Sequence, residues 1–180
     1  MARLQPVNHS ESTGTTREML DGIKTKLGMV PNLMRTFAHS PATLQFFLSG
    51  SQALAGGVLS PKVREQIDLR VSQINGCDYC LAAHTMLAKS LKLYEGQILD
   101  ARRGKSEDPK TNAILALAGT LVEERGHLSN EDFARARLAG LSDAEISETI
   151  AAVALKTFTN YFAVASQVEL DFPKVEALNA

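Results

Sequence analysis

The chain holds two cysteines, Cys77 and Cys80, separated by Asp78 and Tyr79, and His84 lies four residues beyond the second. Thiols at this spacing share one helical turn and can bridge without the strain of a long loop. A histidine at i+4 lies on the face of Cys80, placed to take that thiol's proton. Free N–H groups and the positive dipole end of an opening helix stabilise a thiolate and draw a cysteine below its free pKa of about 8.5. Cys80 is therefore the expected nucleophile, and Cys77, nearer the chain entry, the resolving thiol. A sulfenic acid on Cys80 would condense with Cys77, and an external reductant would reopen the disulfide. Glu65 lies twelve residues before Cys77. If its helix packs antiparallel to the one bearing the cysteines, it approaches His84 and orients the imidazole or relays its proton.

Other readings of the same residues stay open. The pair can be inert in a reducing compartment, or act in disulfide exchange or redox sensing with little peroxide turnover. Cys77, Cys80 and His84, with Glu65 as a fourth ligand, are also a zinc set, although structural zinc usually draws two close ligand pairs and no second pair exists here. Tyr79 is core or pocket wall. Asp78 suits a first helical turn but opposes a thiolate beside it. His9, His39 and His127 fall in an arm, a turn and a helix end, and are not assigned chemistry.

The elements that must position these groups read as helices throughout. Thr15-Thr16-Arg17-Glu18 has capping-box spacing for a helix to about Leu27, with Gly28 as its stop. Pro41 and Pro61, each preceded by serine, begin two more. In the second, Val63, Ile67, Val71 and Ile74 form one apolar stripe, ended by Asn75-Gly76. A helix from about Cys77 to Leu91 or Leu93 carries the thiols. Residues 101–109, including Arg102-Arg103-Gly104-Lys105, read as a charged, solvated loop. Asp108-Pro109, Ser129-Asn130-Glu131-Asp132 and Ser142-Asp143-Ala144-Glu145 open three further helices, and a last one is expected from about Asn160 to Val168. With no strand alternation, the expected fold is all-α: a loose arm over 1–14 and one helical domain over 15–180. A weak echo at an offset of 82 residues suggests that 59–85 and 141–167 are copies of a two-helix unit.

The totals agree with this. A chain of 180 residues suits one domain, and Ala, Leu, Glu, Lys, Arg and Gln favour helix. A net charge of -1 with dispersed basic residues gives no reason to expect nucleic acid or an anionic membrane as partner. No apolar run approaches the roughly 20 residues of a membrane helix. The polar start lacks a signal-peptide stretch, so the expected compartment is the reducing cytosol, where a close cysteine pair favours redox or metal chemistry.

The pattern Glu65-x11-Cys77-Asp78-Tyr79-Cys80-x3-His84 resembles the alkylhydroperoxidase D / carboxymuconolactone decarboxylase superfamily, closest to its peroxidase-related branch. Gly28-Met29-Val30-Pro31-Asn32 and His39-Ser40-Pro41 resemble that branch's N-terminal segment. The resemblance implies an all-helical fold assembled into homo-trimers or homo-hexamers. It also implies a thiol peroxidase acting on hydroperoxides without a cofactor, with Cys80 peroxidatic, Cys77 resolving, and His84 and Glu65 in a proton relay. It further implies a dithiol reductant, a lipoyl-bearing protein in the well-studied members. Those members carry histidine immediately before the second cysteine, where this chain has Tyr79. Lactone decarboxylation is disfavoured, because the decarboxylase branch lacks the cysteine pair.

Overall fold

Short polar side chains start the helices. In the computed structural model, which describes residues 2–178, Ser40, Ser60, Asp108, Ser129 and Ser142 each accept a backbone N–H as N-caps. Proline fills the first turn after three of them. Met1 of the expected arm and the last two residues of the expected domain lie outside the described residues.

Among the described residues the elements are a 3-10 turn, His9–Glu11, and nine α-helices. These are α1 (Gly14–Leu27), α2 (Asn32–Phe37), α3 (Pro41–Ala55), α4 (Pro61–Ile74), α5 (Asp78–Ser90), α6 (Glu95–Arg102), α7 (Pro109–Glu123), α8 (Asn130–Leu138) and α9 (Asp143–Ser166). The fold is all-α, as expected. Helix α4 is the hub, packed against α5, α6, α7 and α9. One interior is aliphatic, built from α4, α6, α7 and α8 with one side each of α5 and α9, and includes Ile67, Leu69, Leu115 and Leu117. The other lies among α1, α2, α3, α5 and α9 and holds Phe37, Tyr79, Met34 and both cysteines. None of the helices is long and apolar enough to cross a membrane.

The structure corrects several expectations. The arm is not loose: Arg3 N–H donates to the Ser166 carbonyl at 2.8 Å, Val7 exchanges hydrogen bonds with Arg35, and His39 Nε2 meets the Gln5 carbonyl at 2.7 Å. Helix α1 starts after Thr13 rather than with the Thr15 box. The expected loop over 101–109 begins only after α6, a helix the sequence reading lacked. Arg102 is not solvated: its Nε donates to Gln73 at 2.9 Å and its Nη2 to the Glu176 carbonyl at 3.0 Å. The helix after Ser142 does not stop short of a separate last helix; α9 runs unbroken for 24 residues. That also removes the proposed duplication, since 59–85 folds as helix–turn–helix and 141–167 holds a single helix.

Candidate active site

Cys77 is the N-cap of α5, and its Sγ accepts the Cys80 N–H at 3.3 Å. The turn before it needs Gly76, at φ 62°, and is tied by the Cys77 N–H to the Ser72 carbonyl at 3.0 Å. That turn folds α5 back along α4, as the Glu65 argument required. Both cysteines are buried and both are free thiols.

The antiparallel pair brings Glu65 to His84, with Oε2 2.7 Å from Nδ1. Asp68, one turn along α4, lies 3.5 Å from the same nitrogen. On the other side of the ring, Nε2 meets Lys156 Nζ of α9 at 2.5 Å, and Lys156 is also 3.5 Å from Asp68. With lysine donating, the network assigns His84 as the Nδ1–H tautomer, which donates to Glu65. Glu65, His84, Lys156 and Asp68 thus form one cluster behind Cys80. No hydrogen bond joins Cys80 to His84 among the described residues, because both ring nitrogens are already engaged.

The thiols are split electrostatically. The hydrogen bond from Cys77 does most to lower the Cys80 pKa. Burial opposes it, while the Lys156 charge, His84 and a hydrogen bond from Asn160 add to it, bringing Cys80 to about 6. Cys77 is pushed far up by the same hydrogen bond and by burial. Burial works against the Glu65 carboxylate, but the charge and hydrogen bond of His84 hold it below its usual value. Lys156 loses by burial and gains more from Asp68, Cys80 and Glu65, so it stays a cation. Asn160 is fixed by Asn75 at 3.0 Å and Ser72 at 3.1 Å.

Cys80, His84 and Lys156 all line a cavity of about 810 Å³, between the cysteine helix and the α1–α3 layer. Its apolar wall includes Met19, Met29, Met34, Met86, Phe47 and Phe172. Apart from Met1, these are all the methionines of the chain. Tyr79 also lines it, with its hydroxyl accepting the Leu33 N–H at 3.1 Å and its ring edge-on to Phe172.

A family model, the carboxymuconolactone decarboxylase family, matches residues 41–123. The match runs from α3 to α7 and takes in Glu65, both cysteines and His84. The structure superposes on the alkylhydroperoxidase AhpD core of an uncharacterized peroxidase-related protein from Ralstonia eutropha JMP134. That pair shares 25% identity at a TM-score of 0.82 over 94% of this chain and 92% of that one. The family match is confined to α3–α7, and over the whole chain the likeness is to the fold of the alkylhydroperoxidase AhpD core. An uncharacterized peroxidase-related protein from Silicibacter sp. TM1040 gives 24% identity and a TM-score of 0.80 over 92% and 91% of the two chains. The debrominase Bmp8 shares the fold at 20% identity and a TM-score of 0.79, over 93% and 91% of the two chains. No curated protein matches the chain significantly.

The residues weighed for zinc are not the ones that converge. Among the described residues, the potential ligand atoms that cluster belong to Glu65, Asp68 and His84, without either sulfur. The Lys156 ammonium stands against two of those three groups. Sequence reasoning missed Lys156, Asp68 and Asn160. Asp68 had a signal, since it follows Glu65 at i+3 on the same helix face. Lys156 and Asn160 had one too: with Val153 and Ala163 they share the buried stripe of α9. Polar residues on such a stripe are either faults in the packing or parts of a site.

Proposed function

We propose that this protein is a thiol peroxidase that reduces organic hydroperoxides through the Cys77/Cys80 couple. The observation that carries the reading is a thiol with a pKa near 6 lining an apolar cavity, with a second, protonated thiol one turn away. The Cys80 thiolate attacks the outer peroxide oxygen; the S–O bond forms, the O–O bond breaks, and the alkoxide leaves as alcohol after taking a proton. Cys80 is then a neutral sulfenic acid, so the charge and hydrogen bond that kept Cys77 protonated are gone. Cys77 loses its proton and attacks the Cys80 sulfur, releasing water and forming the disulfide. A dithiol reductant restores both thiols. The sum is hydroperoxide plus dithiol giving alcohol, water and disulfide.

Glu65 and His84 act in the proton relay, with Glu65 holding the ring by Nδ1 and Nε2 engaged by the Lys156 ammonium, which lines the cavity. An 810 Å³ apolar cavity is far larger than hydrogen peroxide needs and suits a molecule with an organic body. Working partners in this reading are a lipoyl-type dithiol, a reducing compartment such as the cytosol, and further copies of the chain in a trimer or hexamer. Stopped-flow consumption of tert-butyl hydroperoxide with dihydrolipoamide tests it. Turnover that vanishes in Cys80→Ser supports the reading, and full turnover in that variant overturns it.

A second reading uses the same couple for reductive dehalogenation, favoured by the methionine-rich wall. Thioethers are polarizable and adapt to flat aromatic ligands, and a cysteine-to-alanine variant of the debrominase Bmp8 is known in complex with 2,3,4-tribromopyrrole. Here the dithiol supplies two electrons, carbon gains hydrogen in place of bromine, and bromide leaves. Bromide release from a bromopyrrole at a rate above peroxide turnover supports this reading; its absence removes it.

A further inference from the structure

We propose that Lys156 is both the counter-ion of the Cys80 thiolate and the proton donor to the oxygen that leaves it, with His84 and Glu65 serving to hold that ammonium in place. This rests on the thiol-peroxidase reading and deepens it.

The position of Lys156 is hard to explain as structure alone. Its side chain is 7% exposed, and an ammonium is costly to bury unless paired and hydrogen-bonded. A lysine kept only to neutralise Asp68 would close on that carboxylate at ordinary contact distance. Instead Nζ stands 3.5 Å from Asp68 and 2.5 Å from the imidazole nitrogen, in the wall of the cavity that Cys80 also lines. His84 cannot serve Cys80 directly, since Nδ1 is taken by Glu65 and Nε2 by Lys156. The group left to face the reacting atoms is the ammonium.

The charged surroundings fit. From α4, Glu65 and Asp68 face the cluster, with Arg64 acting on Glu65; from α5 come Cys80, with Cys77 behind it, and His84. On α9 the flanking buried residues, Val153, Thr159, Asn160 and Ala163, are uncharged. From α1, Lys26 lines the cavity and is exposed. Lys156 is therefore the buried cation against the thiolate.

The protons balance through it. As the O–O bond breaks, the alkoxide takes a proton from Nζ and leaves as alcohol, and Lys156 becomes a neutral amine. Cys77 and the sulfenic acid then give disulfide and water with no net proton. When the dithiol reductant reopens the disulfide, the products are the Cys77 thiol, the Cys80 thiolate and one proton, which recharges Lys156.

The two roles come apart in one set of variants, K156M and K156R, each checked for folding by circular dichroism. K156M/D68N serves as a charge-matched second form should burial of an unpaired Asp68 unfold the single variant. The first readout is the pH profile of Cys80 alkylation by iodoacetamide, which needs no peroxidase activity. The expected result is an inflection raised by about one unit or more in K156M and in K156M/D68N, and kept low by K156R, since arginine supplies the charge. The second readout is the single-turnover rate with tert-butyl hydroperoxide against peracetic acid, whose acetate leaves without needing a proton. Both K156M and K156R should slow the alkyl hydroperoxide about a hundredfold. K156R should leave the peracid nearly unchanged, because arginine cannot give up its proton but preserves the thiolate. An unmoved alkylation inflection in K156M or K156M/D68N overturns the counter-ion role. Equal slowing of both oxidants in K156R overturns the donor role. Failure of the wild type to reduce either oxidant strikes the peroxidase reading instead, while the alkylation profile still decides the counter-ion role.

Discussion

The two interiors of this molecule are built from different materials. Around α4, α6, α7 and α8 the buried side chains are Leu, Ile, Val and Ala. Around α1, α2, α3, α5 and α9 leucine, isoleucine and alanine are joined by Phe37, Tyr79, Met34 and both cysteines, and the ring pairs Phe37–Phe47, Phe37–Phe162 and Tyr79–Phe172 all lie there. Branched aliphatics have few rotamers and close-pack, whereas methionine and ring edges line irregular space. Helix α4 serves both: it gives Ile67 and Leu69 to the first and aims Glu65 and Asp68 at His84 on α5. The difference teaches that stability and chemistry are separable here, even though α4, α5 and α9 each serve both.

Separability can be broken most sharply by exchanging damage between the halves. Cys80→Ser should cut peroxide turnover by about three orders of magnitude or more while moving the melting temperature at pH 6 little. Leu115→Ala should lower stability by about 2–5 kcal/mol, yet the folded fraction should keep its rate per active site. Calorimetry with active-site titration checks both; an inactive but fully folded Leu115→Ala variant would merge the two regions.

His84→Gln ranks next. It should slow turnover about a hundredfold and also slow Cys80 alkylation near neutral pH, since the thiolate loses part of its electrostatic support. An unchanged alkylation profile would detach the imidazole from the thiol. Glu65→Gln should follow at about tenfold, with turnover hurt more than stability; a mainly lowered melting temperature would make Glu65 structural.

The pH dependence sharpens the contrast further. Cys80 titrates near 6 in the fold, against about 8.5 when unfolded. Its thiolate therefore contributes stability that is fully present above about 8.5 and lost as the pH falls through 6. The melting-temperature difference between wild type and Cys80→Ala should grow as the pH rises from 6 to 8.5. The corresponding difference for Leu115→Ala should stay flat across that window. The smallest effect is expected at the cavity wall, where Phe172→Ala should raise KM for cumene hydroperoxide a few-fold and leave hydrogen peroxide kinetics alone.

Much of this was legible in the sequence, and the reason is local. Serine–proline and aspartate–proline starts and glycine stops act within one turn, so the starts of α3, α4 and α7 and the Asn75-Gly76 end of α4 are legible. The Cys77–Cys80–His84 face follows from helical spacing, and Glu65 from counting outward across Asn75-Gly76. What escaped was tertiary. Thr157, Thr159 and Asn160 look like a break in α9, because threonine and asparagine are weak helix formers. The fold overrides this by turning Thr159 and Asn160 inward, with the Thr159 hydroxyl donating to the Lys156 carbonyl at 2.8 Å. The same polar run that hid the helix carries Lys156 to the site. Arg102 was misplaced for a similar reason, since its partners Gln73 and Glu176 are distant in sequence.

The central claim is that Cys80 reacts and Cys77 resolves. It is tested most directly by adding one equivalent of cumene hydroperoxide to the reduced protein without air, then counting thiols and mapping peptides by mass spectrometry. The account predicts loss of both thiols into a Cys77–Cys80 disulfide in the wild type, and a trapped Cys80 sulfenic acid in Cys77→Ser. Two thiols left intact, or a first oxidation product on Cys77, would contradict it.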